Sequence, residues 1–96
     1  MDIKLLAKTA LRISDNNTAF DSEIENLIEA AKLDMEHAGI DPAVISIGDD
    51  LIDRAIILYC KAYFGWDNPD QEKLVDSYTA HVNKIRLTPE YKTPRA

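Results

Sequence analysis

Residues 49–66, DDLIDRAIILYCKAYFGW, decide the fold of this 96-residue chain. A helix on the surface of a monomer usually has an apolar arc of roughly 100°. Here apolar side chains cover most of the helix circumference, and the stretch ends in the aromatic residues Tyr63, Phe64 and Trp66. We expect such a helix to be surrounded, either by its own domain or by neighbouring copies. A chain this short has little else to cover it, so self-association is the first expectation.

Composition and charge limit the class of protein. The length predicts one domain with a modest core, and the content of only 3 Gly and 4 Pro argues against an all-β fold with many tight turns. A formal charge of −6 disfavours a free-standing protein that grips duplex DNA, because such binding depends on cations that neutralise phosphates. The same charge is compatible with a protein that lets DNA pass. Neither a signal peptide nor a membrane span is expected, since the longest apolar run is residues 55–60.

Apolar residues at steps of three and four predict an all-α fold of about four helices. These helices are expected over residues 3–13, 19–38, 49–64 and 69–87. A capping box at the start of the second helix is expected from Thr18 with Asp21 or, equally, from Ser22 with Glu25. Gly39 is expected just beyond the end of that helix, in the left-handed conformation.

The connections between the helices carry further signals. Residues 40–48 are unusually apolar for a loop, and they either pack back as a helical turn or a short extended piece, or dock onto a neighbouring subunit. The fourth helix has the clearest start, with Asn68 as the N-cap and Pro69 as the first helical residue. The prediction is therefore a helical domain over residues 1–87, followed by an extended, mobile tail over residues 88–96.

No catalytic, cofactor or metal site is expected. His37 and His81 fall on different predicted helices, whereas a metal site needs three or four converging ligands. The sequence contains no phosphate-binding loop and no nucleophile elbow. Asp49 and Asp50 are expected to be exposed charges at a helix start. Cys60, the single cysteine, excludes an internal disulfide, favours a reducing cytosolic origin and is expected to be a small buried hydrophobe.

Six residues are candidates for an interface with another subunit or a partner: Asp53, Tyr63, Phe64, Trp66, Lys92 and Arg95. The aromatic residues are large amphipathic anchors of the kind that dominate interfaces, although they fit equally as ordinary core aromatics. Asp53 falls within the apolar segment and is expected to pair with a Lys or Arg across a subunit boundary. The two basic residues lie in the tail, where they either contact nucleic acid or an acidic partner surface, or only keep the tail soluble.

The order of these features resembles a known family. A short helix ends in Leu11-Arg12-Ile13, a loop rich in Asp and Asn follows over residues 14–17, and an acidic helix occupies residues 21–31. After a glycine and an apolar connection comes the apolar helix that ends in aromatics, residues 55–64. Over about residues 5–87 this pattern resembles the small head–tail connector proteins of tailed bacteriophages and prophages, which are also called head-completion or DNA-packaging proteins.

The resemblance implies an all-α structural subunit without catalytic activity or cofactor. It implies a homo-oligomeric ring below the portal of the filled capsid, at the head–tail junction of the virion, and a location in the host cytoplasm during assembly. The implied partners are the portal protein, a downstream connector or tail protein, and double-stranded DNA that passes through the channel without sequence-specific binding. No membrane partner is implied.

Two other classes stay open on the sequence alone. A regulator with a helix-turn-helix-like core would need a basic recognition helix, whereas the candidates here, residues 21–38 and 49–64, are acidic or apolar. A small acidic inhibitor or antitoxin would use its acidic face as a decoy. This last class predicts a defined dimer or heterodimer rather than a ring.

Overall fold

The computed structural model describes residues 3–65 and 68–88. The described chain forms the helices α1 (Ile3–Ala10), α2 (Asp21–His37), α3 (Pro42–Ile47), α4 (Asp50–Tyr63) and α5 (Gln71–Arg86). No strand is present in these described ranges, and the predicted all-α class is confirmed. The four predicted helices are all found. The apolar connection, for which the sequence left three possibilities open, contains the short helix α3.

Helix α4 lies at the centre of the fold. It packs against α1, α2 and α5, and this arrangement explains why its apolar residues extend around most of its circumference. The largest fully buried side chains come from several helices and from the turn after α2: Ile24, Met35, Ile40, Ile52, Ile56, Cys60 and Ile85. The core therefore surrounds the middle of α4.

Aspartates cap the two helices that follow the apolar connection. The Asp41 carboxylate accepts a hydrogen bond from Ala43 N at 2.9 Å at the start of α3. The Asp49 carboxylate accepts from Leu51 N and Ile52 N, both at 3.1 Å, at the start of α4. Asp49 thus acts as the predicted charge at the start of α4 and satisfies amides that the helix itself leaves unpaired.

The capping box predicted for α2 is wrong. The N-cap position is Phe20, and no side chain caps this helix. Asp21, which would close the box with Thr18, instead lies 2.7 Å from the Lys8 ammonium of α1 through its Oδ1 atom. A tertiary ion pair has therefore displaced the local capping interaction.

Helices α1 and α2 end in the same way. After α2, Gly39 has φ +101°, and Ile40 N donates to Met35 O at 3.1 Å, which confirms the predicted left-handed end. After α1, Arg12 takes the same role with φ +61°, and Ile13 N donates to Lys8 O at 2.8 Å. Because the chain turns at Arg12, α1 ends at Ala10 and not at residue 13 as predicted.

The turn between α4 and α5 joins the two helix ends. The predicted helix start, with Asn68 as the N-cap and Pro69 as the first helical residue, is wrong: Asp70 is the N-cap, and the regular helix starts at Gln71. Asn68 Oδ1 accepts a hydrogen bond from Asp70 N at 3.1 Å and so stabilises the turn before the helix. Asn68 Nδ2 donates to Lys61 O at 2.6 Å, and Gln71 Nε2 donates to Ala62 O at 3.1 Å. These amides satisfy the last carbonyls of α4, which fixes the antiparallel packing of α5 on α4.

Candidate functional site

Three aromatic residues lie toward the C-terminus of α4: Tyr63 and Phe64 at the end of this helix and Phe20, the N-cap residue of α2, which contacts Phe64. We call them the aromatic end. The rings of Phe20 and Phe64 pack edge to face with centroids 5.4 Å apart. Tyr63 lies against Tyr59 at 4.7 Å. Phe20 is 40% exposed and Tyr63 is 43% exposed, whereas Phe64 is half-buried and packs against the core. Of the predicted aromatic candidates, Tyr63 therefore offers surface and Phe64 is shared between surface and core.

Toward the opposite end of α4, aliphatic side chains are exposed at the end of α3, in the first turn of α4 and just after α5: Ile47, Leu51 and Leu87. We call them the aliphatic end. His81 Nε2 lies 2.9 Å from Leu51 O, which places the C-terminal part of α5 beside the start of α4. Ile47 is 80% exposed and Leu87 is 70% exposed. None of these residues was among the six sequence candidates. For Ile47 the sequence did contain a signal. It lies in the apolar connection over residues 40–48, and docking onto a neighbouring subunit was one of the possibilities left open for that connection.

Asp53 lies in an open groove between α1 and α4. Leu6 of α1 and Ile57 and Leu58 of α4 supply apolar walls, and the groove encloses about 420 Å³. Burial raises the pKa of the Asp53 carboxyl above its usual value, and the nearby carboxylate of Asp50 acts in the same direction. Asp53 forms no ion pair with any residue of the described ranges. The predicted pairing across a subunit boundary stays a prediction.

The other predicted candidates, Trp66, Lys92 and Arg95, lie outside the described residues. The predicted tail over residues 88–96 lies outside them as well, apart from Thr88. The Thr88 hydroxyl donates to Lys84 O at 3.1 Å, and Thr88 N donates to Ile85 O at 3.0 Å. This residue therefore belongs to the end of α5 and marks the point from which the tail leaves.

A buried ion pair holds α1 in place beside the groove. Lys8 is only 2% exposed, and its ammonium contacts the Asp21 carboxylate and donates to Asp15 O at 3.3 Å. The Lys8 ammonium next to it lowers the pKa of the Asp21 carboxyl below its usual value. This pair is not predicted from the sequence, where its only signal is a lysine directly beside Ala7 on the apolar side of α1.

The described residues form surfaces that could contact other proteins, and we identify no reactive centre among them. Among residues 3–65 and 68–88, no group of three or more His, Cys, Asp or Glu side chains is arranged to hold a metal ion. Burial raises the pKa of the Cys60 thiol to about 11. None of the described helices is long and apolar enough to cross a membrane.

Comparison with known proteins gives one match. A family model described as "Phage connector protein" matches residues 6–92. Searches of curated proteins and of solved structures find no match. The matched range includes α2 to α5, most of α1, both ends of α4 and the groove, and it confirms the resemblance seen in the sequence. Because the match covers nearly the whole chain, this protein belongs to the phage connector protein family.

Proposed function

We propose that this protein is a structural subunit of the phage head–tail connector. In this proposal its copies form a ring below the portal, extend the DNA channel and dock a further connector or tail protein. The family match over residues 6–92 carries the proposal. Family membership supports a connector-type structural role in the virion, and a structural family of this kind speaks for a protein that is not an enzyme.

The two unlike ends of α4 support a ring. Phe20 and Tyr63 expose aromatic side chains toward one end, and Ile47 and Leu87 expose aliphatic side chains toward the other. A contact between two different surfaces is heterologous, and repeated heterologous contacts make a ring when the rotation closes. The aromatic end of one copy and the aliphatic end of the next would bury exposed apolar area in every subunit. Tyr63 would be the anchor of this contact.

The acidic charge supports passage of DNA. The chain carries a formal charge of −6, and Glu23, Glu25 and Glu29 are exposed along α2. A channel lined by such acids would repel phosphates, and a protein without phosphate-neutralising cations in its channel leaves DNA free to slide.

Absolute mass measured by light scattering over a range of concentrations, with and without the portal protein, tests the ring. We expect either one large species of this protein alone, with a mass that is a large whole-number multiple of 10.8 kDa, or a complex whose mass exceeds that of the portal by such a multiple. Ile47→Asp should weaken its formation, because a charge would replace the most exposed apolar side chain of the aliphatic end. Leu33→Asp is the matched control, since Leu33 is 55% exposed but lies in neither end.

Two results would contradict the proposal. A dimer that stays a dimer at high concentration and does not bind the portal would favour the inhibitor or antitoxin class. Salt-dependent binding to random duplex DNA would favour the DNA-binding regulator, because such binding requires neutralised phosphates.

A further inference from the structure

The groove between α1 and α4 has an unusual combination of surfaces. Its walls are apolar at Leu6, Ile57 and Leu58, and it remains open to solvent along one side. Asp53 lies half-buried within it and forms no ion pair with the described residues. Burial has removed part of the water from this carboxylate, and the positive charge of Lys32 acts on it only from beyond ion-pair distance, so the carboxylate favours an incoming cation. The apolar walls favour an aromatic or aliphatic group next to that cation.

Charged residues of both signs line the groove. Asp50, Asp53 and Arg54 lie at one end, and Lys61 lies at the other. Lys61 comes eight residues after Asp53, which corresponds to about 12 Å along a helix. A segment that pairs with both Asp53 and Lys61 therefore carries a cation and an acid separated by about this distance, with apolar character between them, in either chain direction.

Residues 89–96, PEYKTPRA, carry these groups. Glu90 comes first, Tyr91 follows, and Lys92 and Arg95 come last. The remainder of the chain is strongly acidic, so it offers few other stretches that complement a carboxylate. A segment of eight residues spans up to about 27 Å when extended, which is long enough to cross to a neighbour.

The position from which this segment leaves favours a neighbouring copy. It follows Thr88 at the end of α5, and α5 packs mainly on α4. The groove is lined by α1 and α4 alone, so it lies on a different side of α4 from α5. In a ring, each copy would give its tail to one neighbour and receive a tail from the other.

We propose that the groove between α1 and α4 binds residues 89–96 of a second copy, with Lys92 or Arg95 paired to Asp53. Tyr91 lies on the apolar wall, and Glu90 faces Lys61. The proposal rests on the proposed ring, because the ring supplies the second copy. It adds a tail-to-groove contact that is separate from the contact between the aromatic and aliphatic ends.

A binding experiment with the tail as a labelled peptide tests this contact directly. The probe is a fluorescent peptide of residues 87–96, and the receptor is the full chain with Lys92→Glu and Arg95→Glu, whose own tail no longer fits the groove. We expect saturable binding by fluorescence anisotropy. Asp53→Asn in the receptor should weaken binding about tenfold through loss of the charge pair. Asp76→Asn, the same change at an exposed site of α5, should leave binding unchanged.

The proposed charge pair can also be removed from the side of the peptide. A peptide with both cations replaced by glutamate should bind at least about tenfold more weakly to the unchanged receptor. This arm does not depend on the folding of any new groove variant. The unfolding transition of each receptor variant verifies that the receptor is folded.

Each of the remaining experimental outcomes contradicts or supports a specific part of the proposal. Absence of saturable binding, or equal binding by the Asp53→Asn receptor, overturns the tail-to-groove contact even if the protein forms a ring on the portal. If the unaltered chain excludes the peptide at dilutions where it is a monomer, the tail fills its own groove and the second copy is the wrong occupant. Peptide binding without any ring would support the contact and overturn the ring alone.

Discussion

The middle of α4 and its two ends have similar apolar composition but opposite surroundings. In the middle, Ile52 and Ile56 are almost completely buried among residues of the neighbouring helices. Near the start of α4, Ile47 is 80% exposed and Leu87 is 70% exposed, and at its other end Tyr63 is 43% exposed. An apolar pattern therefore shows that a helix needs cover but does not show which molecule supplies it. In the middle the chain covers itself, and at the ends we propose that other copies do so.

The largest effect on stability is expected for a substitution in the core around the middle of α4. Ile56→Ala should lower the free energy of unfolding by about 3 kcal/mol, because the lost methyl groups leave a cavity that the packed helices fill only in part. Denaturant titration followed by circular dichroism measures this loss. Ile57→Ala, at the half-buried neighbouring position, should cost clearly less. Equal losses at both positions would show that the buried face of α4 contributes no more to stability than its half-buried face.

The buried ion pair between α1 and α2 should give the next largest effect. Asp21→Asn leaves the Lys8 ammonium at 2% exposure without its carboxylate partner, so we expect a clear fall in the thermal midpoint. Glu25→Gln removes the exposed partner of Lys4, at 3.2 Å, on the same helix and should have little effect. A similar fall in the thermal midpoint for both variants would mean that the buried ion pair of Lys8 contributes no more to stability than the exposed ion pair of Lys4.

The same pair predicts how stability depends on pH. The pKa of Asp21 is lowered in the folded protein from 3.8, so the folded state binds fewer protons than the unfolded state in the acid range. Its stabilisation is complete above the unfolded value and is lost as pH falls through the lower folded value. Unfolding curves at a series of pH values below 5 should therefore show a shallower acid loss for Asp21→Asn than for the unaltered chain.

A smaller effect is expected where α1 ends. Arg12 has φ +61°, a left-handed conformation that a side chain disfavours and glycine adopts readily. Arg12→Gly should therefore raise the free energy of unfolding by about 0.5 kcal/mol, after allowance for the greater freedom of glycine in the unfolded chain. Arg12→Ala keeps the Cβ atom and should bring no such gain. A gain from alanine equal to that from glycine would place the cause in the arginine side chain.

The smallest effect on stability is expected for a substitution in the aliphatic end. This substitution distinguishes most directly between residues that stabilise the subunit and residues that contact other copies. Ile47→Asp should change the free energy of unfolding by less than about 0.5 kcal/mol, because the side chain is already in water. The same variant should weaken assembly. Denaturant titration at a dilution where the protein is monomeric, combined with light scattering at high concentration, measures both effects. A large loss of stability in the monomer would show that Ile47 supports its own domain.

The sequence predicts best what depends on local spacing. The positions of α2 and α4, their buried stripes and the left-handed Gly39 follow from periodicity and from the special freedom of glycine. The early end of α1 does not follow, because a left-handed arginine has no local signal. The missing cap of α2 has a tertiary cause, since Lys8 takes the carboxylate of Asp21 from 13 residues away along the chain.

The candidate site was predicted only in part for the same reason. Tyr63, Phe64 and Asp53 stood out as aromatic or acidic residues in an apolar helix, and composition alone shows this. Leu87 looks like one more apolar residue after Ile85, yet it lies past the last turn of α5, where no other helix covers it. Exposure of this kind depends on where neighbouring helices stop, and residue spacing does not contain that information.

The burial of Cys60 has a practical consequence for measuring the proposed assembly. The only thiol of the chain is fully buried, and its pKa of about 11 keeps it protonated near neutral pH, so alkylating reagents should not modify it in the folded protein. A cysteine placed at an exposed position such as Leu33 would then be the single reactive thiol per subunit. Fluorophores or spin labels attached there would report distances between neighbouring copies without prior removal of the native cysteine.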